Sequence, residues 1–159
     1  LLCSLGQTVM ISNFKEYYRL AEYFSEYTKK KIRLTMGVNN LIEIFNEKYY
    51  RHLSGGILEA FGKLFFKNLK VYLYPIFDAD SGQIISSNNL RVNPRLKELY
   101  NFFKYNDKVV DIIDYNIDDM KIYSRTILDQ IKSGESGWED KLPGGVSKLI
   151  KSKKLFGLK

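Results

Sequence analysis

Apolar residues along the first half of the chain fall into two alternating patterns. Compact apolar and β-branched runs at residues 8–12, 32–36 and 69–74 predict short buried strands, the second stopped by Gly37 and the third by Pro75. Between them, apolar residues recur at helical spacing and predict helices that bury one face. The predicted helical faces extend from Phe14 to Tyr27, from Val38 to Phe45 and from Ile57 to Phe65. This alternation favours parallel strands joined by right-handed helical crossovers.

Turn residues organise the next stretch. Residues 78–82 (Asp-Ala-Asp-Ser-Gly) predict a turn, and the strand-like residues 83–85 complete a small antiparallel hairpin. The Asp-x-Asp-x-Gly pattern is also typical of a calcium loop, but Asn89 occupies the closing position where such loops need Glu, so we interpret it as a polar turn. Asn93-Pro94 predicts the start of another helix, and residues 108–113 predict a further strand.

These elements predict an α/β fold, a Rossmann-like mostly parallel sheet with flanking helices on both faces and a small antiparallel hairpin. A chain of 159 residues without repeats or low-complexity linkers predicts a single α/β domain over residues 1–159. Because the sequence opens on Leu1 rather than Met, we expect it to be the C-terminal part of a longer chain. Residues 12 or 13 are expected to cap the first helix.

The net charge and the rarity of cysteine and histidine exclude several classes of partner and metal site. A net charge of +7 and a pI near 9.3 favour anionic partners. Cys3 is the single cysteine, which excludes an intrachain disulfide and a cysteine zinc cluster, and His52 is the single histidine, which argues against multi-histidine metal sites. The sequence contains neither a membrane-spanning apolar run nor a signal-peptide core, so we expect a cytoplasmic protein without membrane contact.

Polar residues follow the predicted strands at the end where ligands bind in open parallel sheets. Gly37 permits close approach of a ligand to the backbone, and Asn39 and Asn40 can hydrogen-bond a base or ribose. The alternative is that both asparagines only cap the next helix.

A second candidate site lies near the C-terminus. Residues 120–123 predict a strand that ends at Ser124, which would be the N-cap of a following helix with Arg125 in its first turn. A helix N-terminus beside an arginine is suited to bind phosphate. The alternative is a plain cap followed by a surface arginine.

Three segments resemble the C-terminal half of nicotinamide or nicotinate mononucleotide adenylyltransferases. Residues 35–41 (Thr-Met-Gly-Val-Asn-Asn-Leu) resemble the strand-glycine-helix segment of that family, residues 122–128 resemble its Ile-Ser-x-Thr-x-x-Arg segment, and residues 138–156 resemble its closing helix. The resemblance implies transfer of the adenylyl group of ATP to a mononucleotide, with Mg²⁺ accompanying ATP and no metal site built by the protein alone. It implies nucleotide-binding roles for Gly37, Asn39, Asn40, Ser124 and Arg125 and leaves the catalytic residues unknown.

The sequence also departs from the family. Asn39 stands where the family usually has Asp, Leu128 stands where it has Arg, and its Gly-x-Phe-x-Pro-x-His-x-Gly-His motif is absent. Two explanations stay open: the motif lies upstream of Leu1, or the chain is a non-catalytic relative.

The alternative function is a basic binding module for nucleic acid or a protein partner. The high pI and the missing histidine motif favour it. The C-terminal tail contains lysines without an acidic partner in the tail, which predict a solvated helix face or, as the alternative, a phosphate or partner contact; they are Lys148, Lys151, Lys153, Lys154 and Lys159. Against it, the aromatic residues fall on helix faces, and no strand is expected to interleave basic and aromatic residues. We therefore predict a nucleotide or mononucleotide as the partner, with nucleic acid the less favoured alternative.

Overall fold

A computed structural model describes residues 2–66 and 68–158 of the chain. The chain forms two compact units, one of residues Asn13–Asp114 and one of Leu1–Ser12 with Tyr115–Lys159. Each unit is described by itself, and the single domain predicted over residues 1–159 stays a prediction. No helix in the described part of the chain has the length and apolarity required to cross a bilayer.

The larger unit, Asn13–Asp114, contains the sheet and four α-helices in the alternation that the sequence predicts. Its elements are α1 (Tyr17–Tyr27), β1 (Ile32–Gly37), α2 (Val38–Ile44), α3 (Gly56–Leu64), β2 (Leu69–Tyr74), β3 (Ile76–Asp78), β4 (Gln83–Ile85), α4 (Lys97–Tyr105) and β5 (Val109–Asp111). The fold is therefore α/β, and the strand boundaries at Gly37 and Pro75 are confirmed.

The main sheet has three parallel strands in the order β1-β2-β5. In its register Arg33 lies opposite Lys70, and Thr35 lies opposite Tyr72. Strands β3 and β4 form the predicted antiparallel hairpin. The turn between them is stabilised by the Ser81 hydroxyl, which donates to Asp78 Oδ2 at 2.6 Å and lowers the pKa of that carboxyl.

Helices of this unit cover one face of the sheet. Leu69, Val71 and Leu73 of β2 are buried in one cluster with side chains of all four helices. The intervening residues of β2 (Lys70, Tyr72 and Tyr74) are half-buried or exposed. Within this unit the four helices pack on one face, because consecutive right-handed crossovers that add strands in one direction place their helices on the same side.

A loop between the hairpin and α4 is attached to the carboxyl end of β5. The backbone N–H and hydroxyl of buried Ser87 both donate to the Asp111 carboxylate, at 2.8 and 2.7 Å. Tyr100 of α4 donates its hydroxyl to the Ser87 carbonyl at 2.6 Å. Asp111 is therefore a structural anchor for this loop.

Two predictions at the start of the chain are wrong. Residues 8–12 are extended and exposed, and they pair with no strand of the described chain. A β-rich composition forms a strand only where a partner edge and a burying surface exist, and Ile11 remains 96% exposed. Helix α1 begins at Tyr17 with Glu16 at the N-cap, so neither Ser12 nor Asn13 caps it.

The smaller unit is built around α5 (Ser124–Ser133) and α6 (Val146–Lys153). Ile127, Ile131 and Ile150 enclose Trp138, which is 1% exposed. The predicted strand at residues 120–123 is wrong: Asp119–Lys121 forms a 3₁₀ turn. Asn116 accepts from the Asp118 N–H and Lys121 pairs with the Asp118 carboxylate at 2.9 Å, so local turn bonds prevail over strand pairing.

The basic tail is less free than the sequence indicates. Lys151 Nζ lies 2.6 Å from Glu139 Oε1 and 5.5 Å from the centre of the Trp138 ring. This hydrogen bond lowers the pKa of Glu139. The expectation that Lys151 lacks an acidic partner is therefore wrong, and Lys159 lies outside the described residues.

Candidate functional site

The junction between β1 and α2 positions the first group of predicted site residues. Gly37 ends β1 and is the N-cap of α2, with an extended backbone (φ −80°, ψ 165°) and open space where a Cβ would lie. Asn39 and Asn40 lie inside the first turn of α2, so the alternative that they cap this helix is wrong. Both asparagines are exposed.

Beside Asn40 lies a pocket of about 460 Å³, which we call the edge pocket. It is formed by the segment that begins α1, by α2, and by the 3₁₀ turn that follows α2. Its lining residues are Lys15, Glu16, Tyr17, Asn40, Glu43, Ile44, Lys48, Tyr49 and Tyr50. The helix α2, which forms one wall of the edge pocket, starts at the carboxyl end of β1, and the lining residues themselves lie outside the strands.

The two adjacent asparagines of α2 differ in their position relative to the edge pocket. Asn40 lines the edge pocket, whereas its neighbour Asn39 and the residue Gly37 do not. Successive residues of a helix point about 100° apart, so only one of two adjacent asparagines can face a given pocket. Of the residues predicted on this helix, Asn40 alone lines the edge pocket, and the sequence did not distinguish it from Asn39.

One wall of the edge pocket is held by internal bonds. Tyr49 donates its hydroxyl to Glu43 Oε2 at 2.6 Å. Lys48 Nζ lies 3.8 Å from the same oxygen and 4.7 Å from the centre of the Tyr49 ring. The Glu43 carboxylate is thus already neutralised, and this wall presents an ordered aromatic ring beside a cation.

The opposite wall contains a polar atom without a hydrogen-bond partner. Glu16 Oε2 is buried and accepts no hydrogen bond in the described chain, and its nearest cation is Arg19 Nη1 at 3.9 Å. A buried acceptor left unpaired costs about 1–3 kcal/mol. The ion pair with Arg19 offsets part of this cost, and a small movement of the Glu16 side chain toward the pocket would let its carboxylate accept from an N–H or O–H donor of a ligand.

Tyr50, which lines the edge pocket, is buried and packs against the buried Tyr18. Tyr50 donates its hydroxyl to the Ile44 carbonyl at 2.7 Å, and its ring packs edge-on against Tyr18 at 6.2 Å. Burial raises the pKa of both hydroxyls, and the nearby Glu16 carboxylate raises each further. Tyr18 also hydrogen-bonds His52 Nε2 at 3.1 Å. Both tyrosines therefore stay neutral at physiological pH.

The second predicted site falls in the smaller unit. Helix α5 begins at Ser124 and its N-cap is Tyr123, so the prediction that Ser124 caps the helix is wrong. Ser124 and Arg125 both lie in the first turn of α5 and are exposed. The position predicted for Arg125 in the first turn of this helix is therefore confirmed. A pocket of about 330 Å³ near this helix start is lined by Tyr123 and Thr126 but by neither predicted residue.

The two predicted groups therefore belong to different units. Gly37, Asn39 and Asn40 lie in the sheet unit, and Ser124 and Arg125 lie in the unit of α5 and α6. The described residues contain no group of three or more His, Cys, Asp or Glu side chains that could hold a metal ion.

Sequence reasoning missed most of the edge pocket. Lys15 and Glu16 lie before α1, which the sequence predicted to start several residues earlier. Lys48 and Tyr49 lie after the predicted helical face that ends at Phe45. Their convergence depends on the packing of α1 beside the turn after α2, which no local pattern encodes. The cluster Lys48-Tyr49-Tyr50 is the one signal in the sequence that could have indicated a polar aromatic surface there.

Sequence reasoning also missed a basic and aromatic strand. Lys70, Tyr72 and Tyr74 alternate along β2 on the face that the helices of the unit leave uncovered. The expectation that no strand interleaves basic and aromatic residues is therefore wrong.

Comparison of the chain with protein-family models, curated proteins and solved structures finds no match.

Proposed function

We propose that this chain is a nucleotidyltransferase-like domain that binds ATP or a mononucleotide in the edge pocket. The observation that carries the proposal is a pocket of about 460 Å³ lined by lysine, tyrosine and asparagine side chains, beside which the buried Glu16 Oε2 accepts no hydrogen bond from the described chain. Ribose hydroxyls and the exocyclic amine of adenine are donors that suit this oxygen. The pocket volume of about 460 Å³ falls within the usual range for small-molecule and cofactor sites.

The other lining residues complement the remaining parts of a nucleotide. Lys15 provides a cation for phosphate and makes no ion pair with the residues that the structure describes, whereas Lys48 is paired with Glu43. Tyr17 and Tyr49 offer aromatic surface to a base. Asn40 can donate to and accept from a base or ribose through its amide.

The reaction implied by the resemblance is an in-line displacement. The phosphate oxygen of the mononucleotide attacks the α-phosphate of ATP, a new P–O bond forms, and the bond to pyrophosphate breaks. The protein contributes positioning and charge stabilisation, without a covalent intermediate. In this proposal Mg²⁺ arrives with ATP. Ser124 and Arg125 are proposed separately, as a phosphate contact of the smaller unit that is independent of the edge pocket.

Isothermal titration of the chain with Mg·ATP and with nicotinamide mononucleotide tests the binding step. Asn40→Ala should weaken binding roughly 5- to 10-fold, because it removes about 1 kcal/mol of hydrogen bonding. Asn39→Ala is the matched control: it removes the same side chain one position away, outside the pocket, and should leave affinity unchanged. Equal loss in both variants, or no saturable binding by the unmodified chain, would contradict the proposal.

The role of the smaller unit is tested separately. The double variant Ser124→Ala with Arg125→Ala should weaken ATP binding while the circular-dichroism spectrum and melting temperature stay unchanged, because both side chains are exposed. Unchanged ATP affinity in that variant removes these two residues from the site without affecting the edge pocket.

A further inference from the structure

The uncovered face of the main sheet has an unusual composition for parallel strands. We call it the open sheet face and define it by Arg33 and Thr35 of β1 and Lys70, Tyr72 and Tyr74 of β2. Arg33 and Thr35 are exposed, Lys70 and Tyr72 are half-buried, and Tyr74 is 37% exposed. Strands of parallel sheets usually present Val, Ile and Leu on both faces because both are covered.

The register arranges this face in rows. Arg33 lies opposite Lys70, so the two cations are neighbours across the strands. Thr35 lies opposite Tyr72, which in turn lies opposite Val110 of β5. Tyr74 follows two residues along β2, about 6.6 Å away, so two aromatic side chains stand in line on the central strand.

The two positive charges of the open sheet face have no acidic residue beside them on the strands. Strand positions on this side of β1, β2 and β5 carry no Asp or Glu. Arg33 donates to the backbone carbonyls of Ile32 and Asn68 at 3.2 Å, and its guanidinium lies 5.9 Å from the centre of the Tyr72 ring. Neither Arg33 nor Lys70 has a carboxylate partner within residues 2–66 and 68–158.

This arrangement complements one class of partner. Bases of single-stranded RNA stack on tyrosine rings and on arginine guanidinium planes, while cations beside them neutralise phosphates. Thr35, Tyr72 and Tyr74 each carry a hydroxyl that can both donate to and accept from a ribose 2′-hydroxyl. A chain net charge of +7 adds a long-range attraction for a polyanion.

We propose that the open sheet face binds single-stranded RNA, with Tyr72 and Tyr74 stacking on bases and Arg33 and Lys70 contacting phosphates. The edge pocket shares no residue with this face, so the proposal does not depend on nucleotide binding there. It assigns the chain a second binding activity on a surface that the helices of the sheet unit do not cover.

Fluorescence anisotropy with a labelled single-stranded decamer of uridine tests the proposal on the full chain. Tyr74→Ala should weaken binding roughly 10-fold, since it removes one stacking platform. Tyr74→Phe keeps the ring and should stay within about twofold of the unmodified chain. Tyr105→Ala removes an exposed tyrosine of α4 and serves as the control that should not change affinity.

The salt dependence tests the cations. In the double variant Arg33→Gln/Lys70→Gln, the plot of log association constant against log salt concentration should become less steep by about 1.4, because two phosphate contacts on a single strand are lost. The control compares two single variants with the unmodified chain. Lys97→Gln removes an exposed cation of α4 and should leave the slope unchanged, whereas Lys70→Gln should reduce it.

Four results would overturn the proposal. They are absence of RNA binding by the unmodified chain, equal loss of affinity in Tyr105→Ala and Tyr74→Ala, equal change of slope in Lys97→Gln and Lys70→Gln, and binding of double-stranded RNA or of single-stranded DNA as tight as that of the uridine decamer.

Discussion

Tyr100 offers a test of how the carboxyl edge of the sheet is held. Its hydroxyl is buried and donates to the Ser87 carbonyl at 2.6 Å, and Ser87 in turn binds Asp111 at the end of β5. Tyr100→Phe removes the donor and leaves that carbonyl unpaired in a buried site. We expect the free energy of unfolding at pH 8 to fall by about 1–3 kcal/mol, measured by urea denaturation.

The pH dependence makes this prediction specific. Burial, opposed by the hydrogen bond with Ser87 and assisted by the Asp111 carboxylate, raises the pKa of Tyr100 from 10.0 to about 12. Because the folded state keeps the hydroxyl protonated, its contribution is complete below pH 10 and is lost as the pH rises from 10 to 12. A shift of this size corresponds to about 3 kcal/mol, so the stability difference between the unmodified chain and Tyr100→Phe should shrink steadily over that interval.

The assay is a set of urea denaturation curves between pH 8 and pH 11.5. Tyr105→Phe is the matched control, since Tyr105 lies on the same helix but is exposed, and its substitution should change stability by less than about 0.5 kcal/mol. A difference between the unmodified chain and Tyr100→Phe that stays constant across this range would refute the reasoning, because it would show that Tyr100 titrates alike in the folded and unfolded states.

Further predictions concern the helices and the N-terminal segment. Leu41→Ala should lower the free energy of unfolding by about 2–5 kcal/mol, since Leu41 is 0% exposed. Leu58→Ala should lower it by less than about 1 kcal/mol, since Leu58 is 65% exposed. Thermal melting curves compare the two variants, and equal losses of stability would contradict the assigned helix faces. Ile11→Ser should change stability by less than about 0.5 kcal/mol because residues 8–12 are exposed, and a loss above 2 kcal/mol would show that this run is buried after all.

The sequence predicted those elements whose signals are local. The β-branched run at 69–74 ends at Pro75, which cannot continue a ladder, and the run at 32–36 ends at Gly37. The Asp-x-Asp-Ser-Gly turn fixed the hairpin, and Asn93 caps the 3₁₀ turn that leads into α4 through a bond from the Arg95 N–H.

The failures occurred where a partner outside the segment decides the outcome. Residues 8–12 have the composition of a strand but pair with no strand of the described chain, and residues 119–121 are held by local turn bonds instead. The sequence directed attention to the segment after β1, whereas Glu16 and Lys48 line the edge pocket beside Asn40 only through helix packing. Adjacent positions such as Asn39 and Asn40 could not be distinguished, because their difference depends on where the helix faces.

The most direct test of the edge pocket is a titration of the ¹⁵N-labelled chain with Mg·ATP, followed by amide chemical shifts. The account predicts saturable shifts that are largest at Lys15–Tyr17, Asn40–Ile44 and Lys48–Tyr50. Shifts that do not saturate, or that are spread over the exposed lysines without preference for these three segments, would contradict it.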